Sequence, residues 1–418
     1  MDTLQKLFEK TIQDSLTFPI VGAKLIKKQM EKKGIILTEK QISYIEEKLQ
    51  NINGDSINLD FDLDDHQNKT LGISDGEKIE IDIGGEKEIN EFFQEFIEKM
   101  EENIPEIIEE ITIPLMSSLT RDMPTILKTH RKDKGDFEKR LHKDWEKPFD
   151  LFEVFIILAI EAGDEFNREF RSDEKEKENY VLEALTRLHA RACQISFEIL
   201  ALLRNGFADG AHARWRSLHE IAVVALFINK YGNEVAEKYL LHDNIESFKA
   251  ASLYMKYYKK LGDEPIPKDE YDSIESVYKS LISRFGDTYK ENYGWAASTI
   301  GKRAPNFSDI EKNVKLDYLR PYYKLASHNV HANPKGIMFK LGLIGDTRNI
   351  LLAGPSNYGF TDPAQFTVDS LRLVTVTLLT KKSTIDNHVM CNILFKLEAE
   401  IGKEFFKIQK KIEEEEIP

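Results

Sequence analysis

Apolar residues recur at helical spacing along most of this sequence, and no other feature restricts the fold as strongly. From Lys87 onward the spacing of three to four residues seldom breaks. Four long segments carry it most clearly, residues 149–171, 180–204, 209–231 and 233–261. Helices of that length bury their apolar faces by packing side by side. We therefore predict a mainly α fold, a multi-helix bundle.

A different period occurs nearer the N-terminus. In residues 57–63 and again in residues 79–83, isoleucine, leucine or phenylalanine alternates with polar side chains. Alternation of this kind is typical of a half-buried strand. We therefore predict a small two-stranded β element, a hairpin-like insertion at about residues 53–86. Before it, Thr38 and Gln41 have the spacing of a capping box and predict the start of a helix.

The length of the chain predicts more than one domain. The 418 residues exceed what one hydrophobic core usually serves. Residues 131–148 are highly charged and poor in aliphatic side chains, which is typical of a connection between domains. We predict an N-terminal helical module, residues 1–133, that includes the β insertion. A C-terminal helical bundle domain would then occupy residues 134–418.

Charge and cysteine content restrict the partners and the compartment. A net charge of −14 disfavours broad, non-specific attraction to nucleic acid but is compatible with a local basic cleft. Cys193 and Cys391 lack the spacing of a disulfide framework or a zinc ribbon. The N-terminus lacks a secretory pattern, and the apolar runs are far shorter than the ~20 residues that span a membrane. We expect a cytoplasmic protein without a membrane partner.

Residues with versatile chemistry concentrate in two stretches, residues 211–220 and 322–331. Together these stretches hold four of the ten histidines and a close pair of arginines. No other part of the sequence is as dense in side chains that bind or transfer protons. We expect the two stretches to lie on facing helices of the bundle and to form the candidate functional site.

The first stretch allows two interpretations of one pair. Arg216 and Glu220 are four residues apart, so they share a helix face. In the first interpretation, the pair is partly buried beside the apolar residues of that helix and acts as an interhelical brace, since an unpaired buried charge is costly. Alternatively, Arg216 is a phosphate or oxyanion clamp that Glu220 orients, because the guanidinium fork binds such groups in a bidentate manner.

The second stretch contains a serine and a histidine at the same spacing. Ser327 and His331 share a helix face, and Asn333 with Pro334 predicts that the helix ends just after His331. A histidine at a helix C-terminus is suited to general acid or base catalysis. A nucleophilic Ser–His pair is a second interpretation. In the third, Ser327 bonds back to its own helix and His331 bonds a neighbouring helix.

Cofactor motifs are absent from the sequence. It contains neither a Gly-x-x-x-x-Gly-Lys phosphate loop nor a dinucleotide fingerprint. His328 and His331 are spaced to reach one ion, and the dipeptide His242-Asp243 is similar to that of metal-dependent phosphohydrolases. These residues do not assemble into a full ligand set. We therefore predict no cofactor and no metal, and keep a metal-dependent phosphohydrolase as an alternative.

The two stretches together resemble a known family. Arg-Ser-Leu-His-Glu, which ends at Glu220, and Tyr-Lys-Leu-Ala-Ser-His-Asn-Val-His, which ends at His331, follow the pattern Arg-x-x-x-Glu and then Ser-x-x-x-His. This pattern resembles that of a helical prokaryotic family catalogued as domain of unknown function 5677. The resemblance covers about residues 182–333. It implies a helical fold and brings no established activity.

Arg214 and His219 form a second pattern, Arg-x-x-x-x-His, that is similar to the motif of HEPN-domain ribonucleases. That resemblance implies metal-independent cleavage of RNA in a toxin or antiviral defence system, with a homodimer that joins two copies of the motif. Arg214 would stabilise the charged phosphorane, and His219 would transfer the proton. The candidate catalytic residues are thus Arg214, Arg216, His219, Glu220, Ser327 and His331.

Two alternatives to a ribonuclease remain open at this point. In one, the protein is a non-catalytic helical interaction or sensor protein of a defence system, and its N-terminal module binds a protein partner. In that case the polar residues of the two stretches only hold the bundle in register. The other is the metal-dependent phosphohydrolase, with His328 and His331 as ligands.

Overall fold

The computed structural model describes residues 4–51, 57–60, 85–172, 179–345 and 350–416. Most of these residues are helical. The α-helices of this described part are α1 (Leu4–Ser15), α2 (Phe18–Lys32), α3 (Glu39–Gln50), α4 (Glu86–Ser172), α5 (Tyr180–Arg204), α6 (Ala208–Tyr231), α7 (Asn233–Leu241), α8 (Asp243–Leu261), α9 (Lys268–Phe285), α10 (Gly294–Ile300), α11 (Phe307–Asn313), α12 (Arg320–Val330), α13 (Pro334–Met338), α14 (Thr361–Leu379) and α15 (Ile385–Glu416).

The prediction of a mainly α fold is confirmed, but the predicted two-stranded β element is wrong. No strand occurs among the described residues, and residues 57–60, which belong to the predicted element, have no regular structure. Its residues 53–56 and 61–84 lie outside the described residues. Ile57 and Leu59 pack against the apolar core of α2 and α3. Their alternation therefore reflects every second side chain meeting two helices, and no second strand is needed to explain it.

The chain divides into two compact units, Met1–Leu127 and Lys128–Pro418. The boundary proposed from the sequence lies between residues 133 and 134. Helix α4 is continuous through both positions, so the charged stretch at residues 131–148 is helical. A run of charged side chains is as compatible with a solvated helix face as with a connecting loop.

In the first unit, α2 and α3 pack together as a helical pair. The capping box predicted at Thr38 is present, since Gln41 N donates to Thr38 Oγ1 and Thr38 N donates to Gln41 Oε1, at 3.4 and 2.8 Å. The box satisfies donors that the first turn of α3 would otherwise leave open. Between the two helices lies a small core that includes Ile26, Met30 and Ile45.

In the second unit, α5, α6 and α14 pack against one another, α15 packs on α14, and the C-terminal half of α4 contributes to the same core. Aromatic rings fill one end of this core, where Trp145 lies 4.9 Å from Phe360 and 5.7 Å from Phe405 between ring centroids. The Trp145 indole N–H donates to Asn357 Oδ1 at 2.9 Å, which satisfies its one polar atom. Burial of such large rings contributes most to the stability of a helical core.

Helix α6 lies at the centre of this unit and has neighbours on more than one side. It packs on α5 and α14 through residues such as Trp215 and Leu218, and α11 and α12 cover another side. The turn before it passes through Gly206, whose φ is +83° and whose missing Cβ leaves room for the backbone of Ser356. This arrangement brings the stretch at residues 211–220 against the stretch at residues 322–331.

No helix in the described part of the chain combines the length and the apolar character needed to cross a bilayer.

Candidate functional site

The inner part of the candidate site is a buried ion cluster, which we call the Glu311 cluster: His219 of α6, Glu311 of α11 and Arg320 of α12. His219 is 1% exposed, and Glu311 is fully buried. The Glu311 carboxylate accepts a hydrogen bond from His219 Nε2 at 2.8 Å through one oxygen and pairs with the Arg320 guanidinium through the other. A buried carboxylate is costly unless its charge is matched, so this cluster ties three helices together.

The outer part lies on α6 and at α12 only, and we call it the Arg216 cluster: Arg216, Glu220, Tyr323 and His331. Arg216 Nε lies 3.3 Å from Glu220 Oε1, and the Tyr323 hydroxyl donates to the same oxygen at 2.5 Å. The Arg216 guanidinium also lies over the Tyr323 ring, 5.0 Å from its centroid. Two neighbours on different helices therefore orient one arginine that remains partly open to solvent.

His331 completes the Arg216 cluster from the end of α12. Its Nε2 lies 3.5 Å from Arg216 Nη1, although the two residues are 115 positions apart in the chain. The last helical residue of α12 is Val330, so the helix ends slightly earlier than predicted and His331 is the first residue after it. His331 is exposed, whereas the arginine beside it is half-buried. The site thus pairs an oriented guanidinium with an imidazole that solvent and a ligand can reach.

Tyr323 connects the two clusters. Its ring lies 5.8 Å from the His219 ring and 5.0 Å from the Arg320 guanidinium, while its hydroxyl bonds Glu220. Burial, reinforced by the hydrogen bond to Glu220, raises the pKa of Tyr323 above its ordinary value. The phenol therefore remains a neutral donor at physiological pH. It adds no charge of its own next to the pair of Arg216 and Glu220.

The charges of the Arg216 cluster reinforce its arrangement. Burial acts to lower the pKa of Arg216, but Tyr323 and Glu220 outweigh that effect and leave the pKa raised. Tyr293, which precedes α10, lies near enough to Glu220 and Arg216 for their charges to act on its hydroxyl. Burial is the main cause that raises its pKa. A permanently charged guanidinium is thus held beside neutral phenols.

Three of the six predicted site residues meet in the Arg216 cluster: Arg216, Glu220 and His331. Arg214 lies on another face of α6, where its guanidinium pairs with Glu198 of α5. Ser327 donates to the carbonyl oxygen of Tyr323 in its own helix at 2.7 Å. His219 is the sixth residue and belongs to the buried cluster. The arginine and histidine of the Arg-x-x-x-x-His motif therefore have separate partners in this chain.

His212 and Trp215 lie between α6 and α14. The Trp215 indole N–H donates to Phe366 O and Ser370 Oγ, at 3.0 and 3.1 Å. The His212 ring stacks on the indole with centroids 5.4 Å apart, and neither ring nitrogen has a hydrogen-bond partner among the described residues. Burial lowers the pKa of His212 to about 4. The imidazole is therefore neutral at pH 7 and acts as a flat core side chain.

The histidines considered as metal ligands have other surroundings. His242 Nε2 lies 3.0 Å from the carbonyl oxygens of both Tyr289 and Glu291, so it ties a turn to α8. His331 is directed to Arg216, a cation. Within the residues that the structure describes, no three histidine, cysteine, aspartate or glutamate side chains are grouped as metal ligands.

Several residues of the site were missed by the sequence analysis. Glu311 and Arg320 lie outside both stretches, and only the packing of α11 and α12 on α6 brings them to His219. Tyr323 lies within the second stretch but was not selected, because a tyrosine in a helix is usually a packing residue. The sequence did contain one signal. Tyr323 lies one helical turn before Ser327, so both side chains lie on the face of α12 that meets α6.

The fold and these two clusters define an all-α protein with a polar site where two helices distant in sequence meet. Residues 182–347 match the model of the Family of unknown function (DUF5677), which confirms the resemblance found in the sequence. Every residue of both clusters lies inside the matched segment. No curated protein and no solved structure matches the chain.

Proposed function

We propose that the protein is a metal-independent ribonuclease whose active site is the Arg216 cluster. Arg216 would bind the scissile phosphate, and His331 would transfer the proton. The observation that carries this proposal is the approach of His331 Nε2 to within 3.5 Å of Arg216 Nη1, at a position open to solvent. Two side chains that both bear positive charge when the histidine is protonated attract an anion to the space they share.

The orientation of Arg216 supports an anion-binding role. Glu220 and Tyr323 hold the Nε side and the face of the guanidinium, so Nη1 is directed toward His331. A guanidinium held in place before the ligand binds loses little entropy on binding. The Nη groups match two oxygens of a phosphodiester, as in other arginine–phosphate pairs.

The chemistry that fits this pair is attack by a ribose 2′-hydroxyl. Neutral His331 accepts the 2′-hydroxyl proton as the 2′-oxygen forms a bond to phosphorus. Arg216 stabilises the additional negative charge on the phosphorane. The bond from phosphorus to the 5′-oxygen then breaks, and the imidazolium returns its proton to that oxygen. The products are a 2′,3′-cyclic phosphate and a 5′-hydroxyl, and no metal enters the step.

This proposal departs from the motif that suggested ribonuclease activity. Arg214 and His219 would have to face a common phosphate, but Glu198 and Glu311 engage them. We therefore assign the anion to Arg216 and the proton to His331. We also propose a role as a toxin or antiviral defence effector, and this part rests only on the resemblance to HEPN-domain ribonucleases. Both cysteines are buried and free, which fits the reducing cytoplasm that we propose as its compartment.

The test is cleavage of a 5′-labelled single-stranded RNA by the full chain in EDTA. We expect wild type to cleave, and Arg216→Ala and His331→Ala each to lose at least about 100-fold in rate. The matched controls are Arg214→Ala, an arginine of the same helix, and His328→Ala, an imidazole one turn before His331. Both should cleave within about twofold of wild type, because neither contacts the proposed phosphate.

The products and the substrate provide a second criterion. A single 2′-deoxy nucleotide at the cleaved position should abolish the reaction there, because it removes the nucleophile. Intact RNA with wild-type protein would overturn the proposal. Full activity of His331→Ala would do so as well.

A non-catalytic sensor is the second candidate function, and the Glu311 cluster favours it. Glu311, fully buried, connects α6 to α12, and Arg216 with His331 bridges the same two helices at the surface. An anion that separates Arg216 from His331 would then change the contact between these helices without any reaction. In that case the protein would bind RNA or a phosphorylated ligand, binding would require the Arg216 side chain, and the RNA would stay intact.

A further inference from the structure

Helices α8 and α9 form a hairpin that projects from the core of the second unit. The two helices pack on each other, and Phe248 stacks on Tyr278 with ring centroids 4.2 Å apart. Ile245 and Leu281, at the base of the hairpin, belong to the core of the unit. From residue 252 to residue 280, all of which the structure describes, no side chain is buried. We call these residues the hairpin arm.

One helix of the hairpin arm carries positive charge that carboxylates do not balance. Residues 247–262 contain four lysines and no aspartate or glutamate, in a chain whose net charge is −14. Lys249 pairs with Glu246 at 2.7 Å. The other three, which we call the arm lysines, are Lys256, Lys259 and Lys260. They are exposed, and in the described part of the chain none of them forms an ion pair. A local surplus of this kind attracts an anionic partner even to an acidic protein.

Tyrosine rings lie beside these charges. Lys256 Nζ and Lys260 Nζ lie 5.1 and 6.0 Å from the centroid of the Tyr257 ring, which is 38% exposed. Lys259 Nζ lies 5.9 Å from the centroid of the Tyr258 ring. Cations that follow a phosphate backbone and rings on which bases stack are the two components of a surface for single-stranded nucleic acid. The hairpin arm has both within five residues of one helix.

The carboxylates at the tip of the arm favour a nucleic acid strand over a membrane. Asp263 and Glu264 follow α8, and the Tyr254 hydroxyl donates to the Glu264 carbonyl oxygen at 2.8 Å, which holds this turn on the Tyr254 side. At 100° per residue, Tyr254 lies 120 to 160° around α8 from the arm lysines. A flexible strand can follow the lysines alone. A flat anionic bilayer would meet the two carboxylates as well and would be repelled by them.

The hairpin also leads toward the Arg216 cluster. Helix α9 ends at Phe285, and Tyr293, which follows it, is close enough to Arg216 for the guanidinium charge to act on its hydroxyl. Since α9 has 18 residues, the arm lysines lie on the order of 20–30 Å beyond the base of the hairpin. A strand that touches both places must therefore be several nucleotides long.

We infer that the hairpin arm is a second binding surface for the single-stranded RNA that the Arg216 cluster cleaves. Phosphates bind the arm lysines, and one base stacks on Tyr257. This inference rests on the proposed function for the identity of the strand, because RNA is the substrate assigned to the Arg216 cluster. Its tests use binding as well as cleavage, so that the failure of one proposal can be told from the failure of the other.

The first experiment measures the binding of a labelled RNA of about 20 nucleotides by fluorescence anisotropy, with His331→Ala in every protein so that the RNA stays intact. Replacing the three arm lysines by alanine should raise the Kd about tenfold or more in about 0.1 M salt. The slope of log Kd against log salt should fall by about two, since each phosphate contact on a single strand contributes about 0.7.

The matched control removes the same charge from another exposed helix of the unit. Lys403→Ala, Lys407→Ala and Lys410→Ala, all exposed residues of α15, should leave the Kd within about twofold and the salt slope unchanged. The comparison separates a local contact from the effect of net charge, because both triple variants lose three lysines.

A third variant tests the stacked base. Tyr257→Leu removes the ring and should raise the Kd about fivefold or more, the effect of losing one stacked base. Tyr257→Phe keeps the ring and should bind within about twofold of the parent protein, because stacking does not use the hydroxyl.

The second experiment compares substrates of two lengths with the catalytic histidine in place. For the RNA of about 20 nucleotides, the arm-lysine variant should lose about tenfold in kcat/KM through KM, with kcat unchanged. For a dinucleotide, which cannot reach the arm, kcat/KM should stay within about twofold.

The outcomes distinguish the two proposals. An arm-lysine variant that binds RNA like its parent protein would overturn the inference, and so would a parent protein that binds no RNA at about 10 μM. Tighter, lysine-dependent binding to phosphatidylserine vesicles than to RNA would replace it with a membrane surface. RNA that binds through the arm lysines and stays intact with wild-type protein would support the inference and contradict the proposed ribonuclease.

Discussion

The Glu311 cluster and the Arg216 cluster both use α6 and α12, with α11 added in the first, and they contain similar residue types, yet they differ in access to solvent. In the first, a carboxylate lies between an imidazole and a guanidinium, and all its charges are matched inside the fold. In the second, Glu220 and Tyr323 orient an arginine whose far side meets an exposed histidine. One turn of α6 separates a structural site from a site that is free to bind a ligand.

This comparison shows why residue type alone does not identify an active site. His219 and His331 are both histidines beside an ion pair. His219 has a carboxylate partner and no room for a ligand, whereas His331 faces a cation and solvent. The partner and the exposed fraction of each imidazole therefore carry the functional information, and both depend on residues distant in the sequence.

Removal of the buried carboxylate should have the largest effect. Glu311→Ala leaves the Arg320 guanidinium without its counter-ion and His219 Nε2 without an acceptor. We expect a loss of about 3–5 kcal/mol in the free energy of unfolding, the cost of breaking a buried pair from one side. Urea denaturation followed by circular dichroism measures it. A loss below about 1 kcal/mol would mean that the cluster does not brace the helices.

Acid should weaken the fold through the buried imidazole of His212. Burial lowers the pKa of His212 from 6.5 to about 4, so the unfolded chain binds more protons than the folded chain between these values. Stability is therefore full above pH 6.5 and falls as the pH drops toward 4. Between pH 7 and pH 5 the loss for this one residue is about 2 kcal/mol.

The control for that pH effect is a substitution that keeps the ring. His212→Phe can still stack on Trp215 but does not titrate, so its stability should fall less between pH 7 and pH 5 than that of wild type. Equal slopes for wild type and His212→Phe would contradict the account.

The residue that connects the clusters should have an intermediate effect. Tyr323→Phe keeps the ring against His219 and Arg320 but removes the hydrogen bond to the Glu220 carboxylate. We expect a loss of about 1.5–3 kcal/mol in stability, typical of a hydrogen bond to a charged group and at the lower end here because Glu220 is partly solvated. The same variant should bind RNA more weakly, since Arg216 loses one of the two groups that orient it.

The smallest effect is expected at Ser327. Its hydroxyl bonds the carbonyl oxygen of Tyr323, which already accepts within the helix, so Ser327→Ala should change stability by less than about 0.5 kcal/mol. RNA cleavage should also be unchanged. Loss of cleavage in this variant would instead support a serine nucleophile and would remove the Arg216 cluster from the centre of the mechanism.

Much of the fold follows from local sequence signals. The helical period of α5 and α6 and the capping box at Thr38 involve neighbouring residues, and the structure agrees with them. The predicted β element failed for a physical reason, because alternating side chains at Ile57 and Leu59 indicate one buried face without specifying what buries it. A pair of helices serves there as well as a second strand.

The site was predicted only in part, for a related reason. Arg216 and Glu220 share a helix turn, so their pairing is visible in the sequence. The contact between Arg216 and His331 depends on how α12 lies on α6. The partners of His219 and Arg214 depend on α11 and α5, and no spacing within a helix reveals which carboxylate will approach a given cation.

The central claim is that the Arg216 cluster reacts and the Glu311 cluster supports the fold. The most direct test is the rate of RNA cleavage per folded molecule in EDTA for wild type, His219→Ala and His331→Ala. We predict that His219→Ala keeps the wild-type rate within about threefold once its lower stability is taken into account, and that His331→Ala loses at least about 100-fold. The reverse order, or intact RNA with all three proteins, would contradict the account.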